Sequence, residues 1–309
     1  MQHTIYRHGA YKIHKINNLA SMNSHIKIIL IIINIVFYSN LSFGQKIFFD
    51  SLWHKTSIEN ATYYRLIDTI ESEKYSVHDF FMNGLTQMNG EFSSIDKEIK
   101  HGHFECFYNN GQIKKECSYN KNRLHGEYNK WFEDGKKEIS GEYNLGKRVN
   151  LWTLFNEDGS IYLQGNYSNN KKNGKWSRFF NDGTLKESFN MKNNVFDGYA
   201  IAWDSLGNRL GILDLNSKLT KGSISIYYPN GQIATEGKFK NKKAVGYWKM
   251  YYPNGSIQKE GEVKNGKMIG QWTTYDSDGS PNSIIIFDKK NTEDFPVDLN
   301  MAKEMLNIK

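Results

Sequence analysis

Apolar and aromatic positions between Gly102 and Phe287 fall in one order that recurs every 24 residues. A unit opens at Gly102, Gly126, Gly174, Gly198, Gly222, Gly246 and Gly270, with Asn150 in the one gap. Nine residues later stands a second glycine in all eight units: Gly111, Gly135, Gly159, Gly183, Gly207, Gly231, Gly255 and Gly279. A register kept without insertion marks a structural repeat. Each unit also carries an aromatic five residues after its opening position, namely Phe107, Trp131, Phe155, Phe179, Trp203, Tyr227, Tyr251 and Tyr275. Six units carry another two residues after it: Phe104, Tyr128, Trp152, Trp176, Trp248 and Trp272.

The second glycine closes turns such as Tyr228-Pro229-Asn230-Gly231, where Pro presets φ and Gly accepts the left-handed conformation of a three-residue hairpin loop. A second turn rich in Asn, Gly and Lys precedes the next unit, as in Asn144-Leu145-Gly146-Lys147. Two strands and two turns fill the period and leave no room for a helix. The expected fold is therefore all-β, an elongated antiparallel meander of tandem β-hairpins with about sixteen strands, spanning roughly 75 Å at about 4.8 Å per strand.

A three-residue loop sets the ladder from Phe107 to Tyr275 opposite Ile113, Ile161, Leu185, Ile233 and Ile257. Counting outward from there puts Tyr119, Tyr143, Tyr167, Phe239 and the glycines at 141, 165, 237 and 261 on the ladder side, which is read as the core. Trp152, Trp176, Trp248 and Trp272 then share the opposite side with Glu116, Gln164, Glu236 and Glu260, and that half-wet side is read as the recognition surface. A tryptophan at a fixed repeat position more often serves packing than binding.

Upstream, Met22 and Lys27 precede an apolar run from Ile28 to Tyr38 and the small residues Ser42 and Gly44, the arrangement of a secretory signal with cleavage after Gly44. A short membrane anchor reaching Phe43 is the alternative, against which Asn34 and Asn40 interrupt the run. Residue 45 is Gln, so no cysteine is offered there for lipid attachment. Removing residues 1–44 takes Arg7, Lys12, Lys15 and Lys27 and no acid, so 40 basic residues fall to 36 against 33 acidic ones. The excess is too small and scattered for nucleic-acid binding. Cys106 and Cys117 lie in one hairpin, paired or free; if Cys106 opposes Lys114 or Lys115, Cys117 is diagonal to it and beyond easy disulfide reach.

The motif running from Gly246 through Trp248, Tyr251-Tyr252, Asn254-Gly255, Ile257, Glu260-Gly261 and Asn265-Gly266-Lys267 resembles the bacterial variant of the MORN repeat and the YwqK family antitoxins. A degenerate copy stands at Asp79-Phe80-Phe81-Met82-Asn83-Gly84 through Gly90-Glu91-Phe92, and Asn60 to Arg65 is similar to the lead-in of exported MORN-variant proteins of Bacteroidota. The resemblance implies antiparallel hairpins and protein-binding or membrane-associated roles. Asn150 departs from the pattern, as do Phe189, Met191, Leu213 and Leu215, which replace the usual Gly and Tyr, so a local irregularity is expected there.

His101, His103, His125 and Cys106 are zinc-type ligands, but His101 and His125 occupy one repeat slot that other units fill with Val149, Asn173, Asp197, Lys221, Val245 and Ile269. No nucleophile set or phosphate loop occurs, and Glu116, Glu236 and Glu260 share one strand position rather than forming an acid and base pair. No enzyme activity and no cofactor are expected. The organisation reads as a signal segment (1–44), an N-terminal cap with a degenerate repeat (45–101), eight repeats (102–287), and a C-terminal tail or capping helix (288–309) in which Asp298 starts a helix over the sheet's end. The function expected is that of an exported, periplasmic or cell-surface scaffold for another protein, an immunity-type factor if that partner is a toxin. The alternative is a binder of glycans or lipid headgroups using the four tryptophans as a stacking ladder.

Overall fold

The computed structural model describes residues 46–71, 73–216, 218, 220–288 and 291–305, so the signal segment lies outside the described residues. Residues 47 onward form one unit containing a 20-stranded antiparallel sheet in which each strand pairs with its neighbours in sequence. Four strands precede the repeats: β1 (Ile47–Phe49), β2 (Tyr63–Glu71), β3 (Lys74–Phe81) and β4 (Thr86–Ser94). The eight units supply the other sixteen, from β5 (Ile99–Phe107) and β6 (Ile113–Asn120) to β19 (Lys267–Tyr275) and β20 (Pro281–Phe287). Among the described residues β1 does not pair with β20, so the meander is open.

Both turns follow from local chemistry. The glycines of the first turn have φ between 83° and 92°, and each N–H closes on a carbonyl three residues back, as Gly255 N does on Tyr252 O at 2.9 Å. The preceding Asn or Asp accepts the N–H two residues on, as Asn254 Oδ1 does from Ser256 N at 3.0 Å. Leu206 cannot, and Asp204 takes over, accepting from the backbone N–H of Leu206 at 2.9 Å and of Asn208 at 2.8 Å. Where Asn150 replaces glycine φ is 58°, a conformation Asn tolerates. Gly222 alone among the opening glycines avoids positive φ, and the β14 (Arg209–Leu215) to β15 (Lys221–Tyr227) pairing there runs without the bulge of its counterparts. That is the expected irregularity.

The face assignment from sequence is reversed by one residue per hairpin. The ladder does oppose the aliphatic positions, with Phe107 facing Ile113 and Tyr251 facing Ile257. The next pairs are Cys106 with Lys115 and Met250 with Lys259, so Lys114 and Gln258 are bulged out. An extra residue moves every later side chain to the other face. Gly261 accordingly pairs with Trp248 and Trp272, while Glu236 and Glu260 join the ladder, hydrogen-bonded by the phenols of Tyr251 at 2.6 Å and Tyr275 at 2.8 Å.

The tryptophan face is the core. Trp152, Trp176, Trp248 and Trp272 are 0–4% exposed, and each lies across the glycine of the preceding strand: Gly141, Gly165, Gly237 and Gly261. A Cβ at any of these glycines would overlap the indole. Tyr143, Tyr167 and Phe239 stand edge-on to the rings at 5.1–5.3 Å. Where Phe189 and Leu213 replace the glycine, the residue of the following strand is Ala200 or Ile224, so volume is exchanged across the pair and the core stays filled.

The C-terminal segment corrects a second expectation. A helix does form, α1 (Leu299–Met305), with Asp298 Oδ1 accepting from Met301 N at 2.8 Å. Among the described residues its backbone does not pair with the sheet's last strand, β20. The tail recrosses the tryptophan face, donating Phe295 N to Gly266 O and Leu299 N to Lys242 O, and seats Phe295 against Trp248 at 4.7 Å and Trp272 at 5.8 Å. At β20, Ile284 and Ile286 remain 60% and 57% exposed.

Candidate binding surface

With the tryptophan face filled, the four tryptophans proposed as a stacking ladder keep at most 4% of their surface exposed, and the surface left for recognition is the opposite face. It is organised in rows, because residues paired across successive strands line up at right angles to them. One row is the ladder from Phe107 to Tyr275, each member half-buried. A second row runs through Ser140, Thr153, Gln164, Ser177 and Ser188, passes the apolar Ile201 and Ile212, and continues to Ser225, Glu236, Lys249, Glu260 and Thr273. Thr153, Ser177 and Ser188 are buried, sunk beside the larger ladder rings. A third row, one residue after each opening position, bears Leu151, Tyr199 and Tyr247, all 43–56% exposed. These three recur in every second unit, four strands apart, which separates neighbours by roughly 19 Å.

Charge on this face is local and mostly paired. Lys249 Nζ lies 3.7 Å from Glu260, whose Oε1 also accepts the Tyr275 hydroxyl. Partial burial and then the hydrogen bond to Glu236 raise the ionisation of Tyr251 above that of a free phenol, and the bond to Glu260 does the same for Tyr275. Both phenols are therefore neutral donors at physiological pH. Neighbouring repeats are tied at the turns, where the hydroxyls of Tyr108, Tyr228 and Tyr252 donate to backbone carbonyls of Trp131, Tyr251 and Tyr275 at 2.7–2.9 Å. The face is thus carried on a fixed spacing.

Cys106 and Cys117 are free thiols, and burial pushes the ionisation of both upward, away from nucleophilic thiolate character. Among the described residues no group of three His, Cys, Asp or Glu side chains gathers to hold a metal. No helix among them is long and apolar enough to cross a membrane.

Sequence reasoning missed a cleft at the N-terminal end. Arg65 and Asp79 pair across β2 and β3 on the tryptophan face, with Phe49 and Trp53 folded over them. The degenerate copy beginning at Asp79 was legible, but its pairing with Arg65 depends on a register that periodicity does not give.

Four segments, residues 100–121, 172–193, 221–241 and 244–265, match the MORN repeat variant family. No curated protein matches the chain. Among solved structures, the crystal structure of TcdB2-TccC3-TEV is 9% identical with a TM-score of 0.19, over 87% of this chain and 19% of that one. The Tc holotoxin pore of Photorhabdus luminescens, with a TccC3-D651A mutation, is 8% identical with a TM-score of 0.16, over 84% and 19%. A porin-like protein from Bacteroides uniformis is 8% identical with a TM-score of 0.14, over 76% and 93%. The chain therefore spans under a fifth of the first two of these chains, and likenesses this slight establish neither fold nor function.

Proposed function

We propose that this chain is a non-catalytic, exported repeat scaffold that binds another protein along its ladder face, in an immunity-type role at the periplasm or cell surface. MORN repeats occur generally in protein-binding and membrane-binding scaffolds and are generally non-catalytic, and four segments here match that family's variant. The observation that carries the reading is the ladder face itself, where Leu151 stands exposed near the sunken hydroxyl of Thr153 and Tyr199 and Tyr247 stand exposed further along the same row. Exposed aromatic and aliphatic anchors around satisfied polar groups are what a protein interface uses. The glycan or headgroup reading loses its support, since stacking needs the ring faces that burial of the four tryptophans removes.

A photo-crosslinking residue at Gln271 on the ladder face, with one at Met301 on α1 as control, tests the reading in cells. One partner protein crosslinked from Gln271 and not from Met301 is expected. With that partner purified, Tyr199→Ala and Tyr247→Ala should each weaken binding about tenfold, as for interface aromatics, with melting unchanged. Crosslinks only from Met301, or binding to a glycan array with no protein captured, would overturn it. Mass spectrometry of the released protein checks export, with an N-terminus at Gln45 expected.

A further inference from the structure

The cleft on the tryptophan face at the N-terminal end has a volume of about 350 Å³ and is walled by Phe49, Trp53, Met88 and Phe92. That is at the small end of the range for ligand sites, roughly 300–1,000 Å³. Its floor is charged. Arg65 donates to both carboxylate oxygens of Asp79, at 2.6 and 2.8 Å, and Asp79 is 1% exposed. The guanidinium also lies over the rings of Phe49, Trp53 and Phe92 at 5.1–5.9 Å, so it is held at one edge by the carboxylate and packed among aromatic rings.

Three observations go beyond packing. The Gln87 carboxamide oxygen is buried at this cleft without a hydrogen-bond partner. Gln87 is also the residue bulged out of the β3 to β4 pairing, between Met88, which faces Asp79, and Thr86, which faces Phe80. A bulge re-aims a side chain, and a buried acceptor left unpaired is costly, so the arrangement has an acceptor waiting for a donor. Trp53, the outer wall, holds φ at 64° and stacks on Tyr63 at 4.5 Å, a strained backbone for a bulky residue. Lastly, Glu98 approaches the free edge of Arg65, Nη1 to Oε1 at 3.8 Å, although its side chain is 71% exposed. Lys100 lines the same mouth, its ammonium over the rings of Phe104 and Tyr119 at 5.7 and 5.4 Å. The Glu98 carboxylate thus sits loosely beside Arg65, at a mouth that Lys100 also lines.

We infer that this cleft binds an N-acylated α-amino acid, the chemistry shared by a peptide's C-terminal residue and a free acylamino acid. The ligand carboxylate displaces Glu98 and is held by Arg65 and Lys100, its amide N–H donates to Gln87 Oε1, and its side chain enters between Phe49, Trp53 and Phe92. The site lies on the opposite face from the ladder, so its failure and that of the scaffold reading are separately visible.

The probes are N-acetyl-L-phenylalanine, a short peptide ending in phenylalanine with a free carboxylate, and the same peptide amidated. They are titrated into the whole protein labelled with fluorotryptophan, with the Trp53 fluorine resonance assigned by Trp53→Phe. Saturable shifts with the free-acid probes and none with the amide are expected. Glu98→Gln should tighten binding several-fold by removing the competing carboxylate. Gln87→Leu and Lys100→Met should each weaken it about tenfold, both checked for folding by their melting curves, since Lys100 also lies over the buried ring of Phe104. Binding of the acetylated amino acid without the peptide would assign the site to free acylamino acids, and the converse to peptide ends. Equal binding of acid and amide, or no tightening in Glu98→Gln, would overturn the inference.

Discussion

Replacing Gly261 by alanine tests the claim that the core is built from tryptophans lying across glycines. In an ordinary strand the change gains about 0.5–1 kcal/mol, because glycine loses more chain entropy on folding. Here the three atoms nearest the new Cβ all belong to the Trp272 indole, in a contact that cannot be kept. The ring cannot withdraw easily. Its Nε1 donates to Glu262 O at 3.1 Å, Phe295 lies against it at 5.8 Å, and it has no exposed surface. Overpacking of this kind costs about 1–3 kcal/mol, which lowers the melting temperature by roughly 2–12 °C for a sheet of this size. The sign is therefore opposite to that of strand propensity. The chain's own Leu213 and Ile224 show the compensation, so Gly261→Leu with Trp272→Ile should melt higher than the sum of the single changes predicts, by a coupling of at least about 1 kcal/mol. Thermal unfolding followed by near-ultraviolet circular dichroism measures both. A higher midpoint for Gly261→Ala, or zero coupling in the pair, would refute the reasoning.

Phe295→Ala should cost about 3–5 kcal/mol and shift indole emission to longer wavelength, because the ring covers both Trp248 and Trp272; unchanged emission would mean the tail is not a cover. Asp79→Ala should cost about 3–5 kcal/mol by leaving the buried Arg65 guanidinium with only the exposed Glu98 carboxylate at 3.8 Å, whereas Arg65→Met with Asp79→Leu should recover most of it, as denaturant midpoints would show. Burial raises the carboxyl pKa of Glu187 above its ordinary 4.5 despite Arg178 at 2.7 Å, which acts in the opposite sense. The unfolded chain then releases that proton first as pH climbs past 4.5, so this contribution to stability is complete below 4.5 and is lost as pH rises through the higher folded value. Glu187→Gln should flatten the pH dependence of the melting temperature in that window, and an unchanged slope would count against it.

The 24-residue period, both turns and the meander were determined by the chain itself, because each rests on contacts within one hairpin. Gly255 must have positive φ, Asn254 accepts a bond two residues away, and Tyr251 faces Ile257 across a loop whose length is written in the sequence. Which face becomes the core was decided only in three dimensions. One bulged residue after each turn, Gln258 in the seventh unit, reverses the parity of the outgoing strand, and alternation alone cannot show it. The glycine pattern held the one usable clue, since Gly261 makes room for a large ring, but choosing Trp272 rather than Tyr275 required the register. The covers at either end were likewise out of reach. Phe295 meets Trp248 across 47 positions and Arg65 meets Asp79 across 14, and such pairings depend on how separate strands and the tail pack, not on any local period.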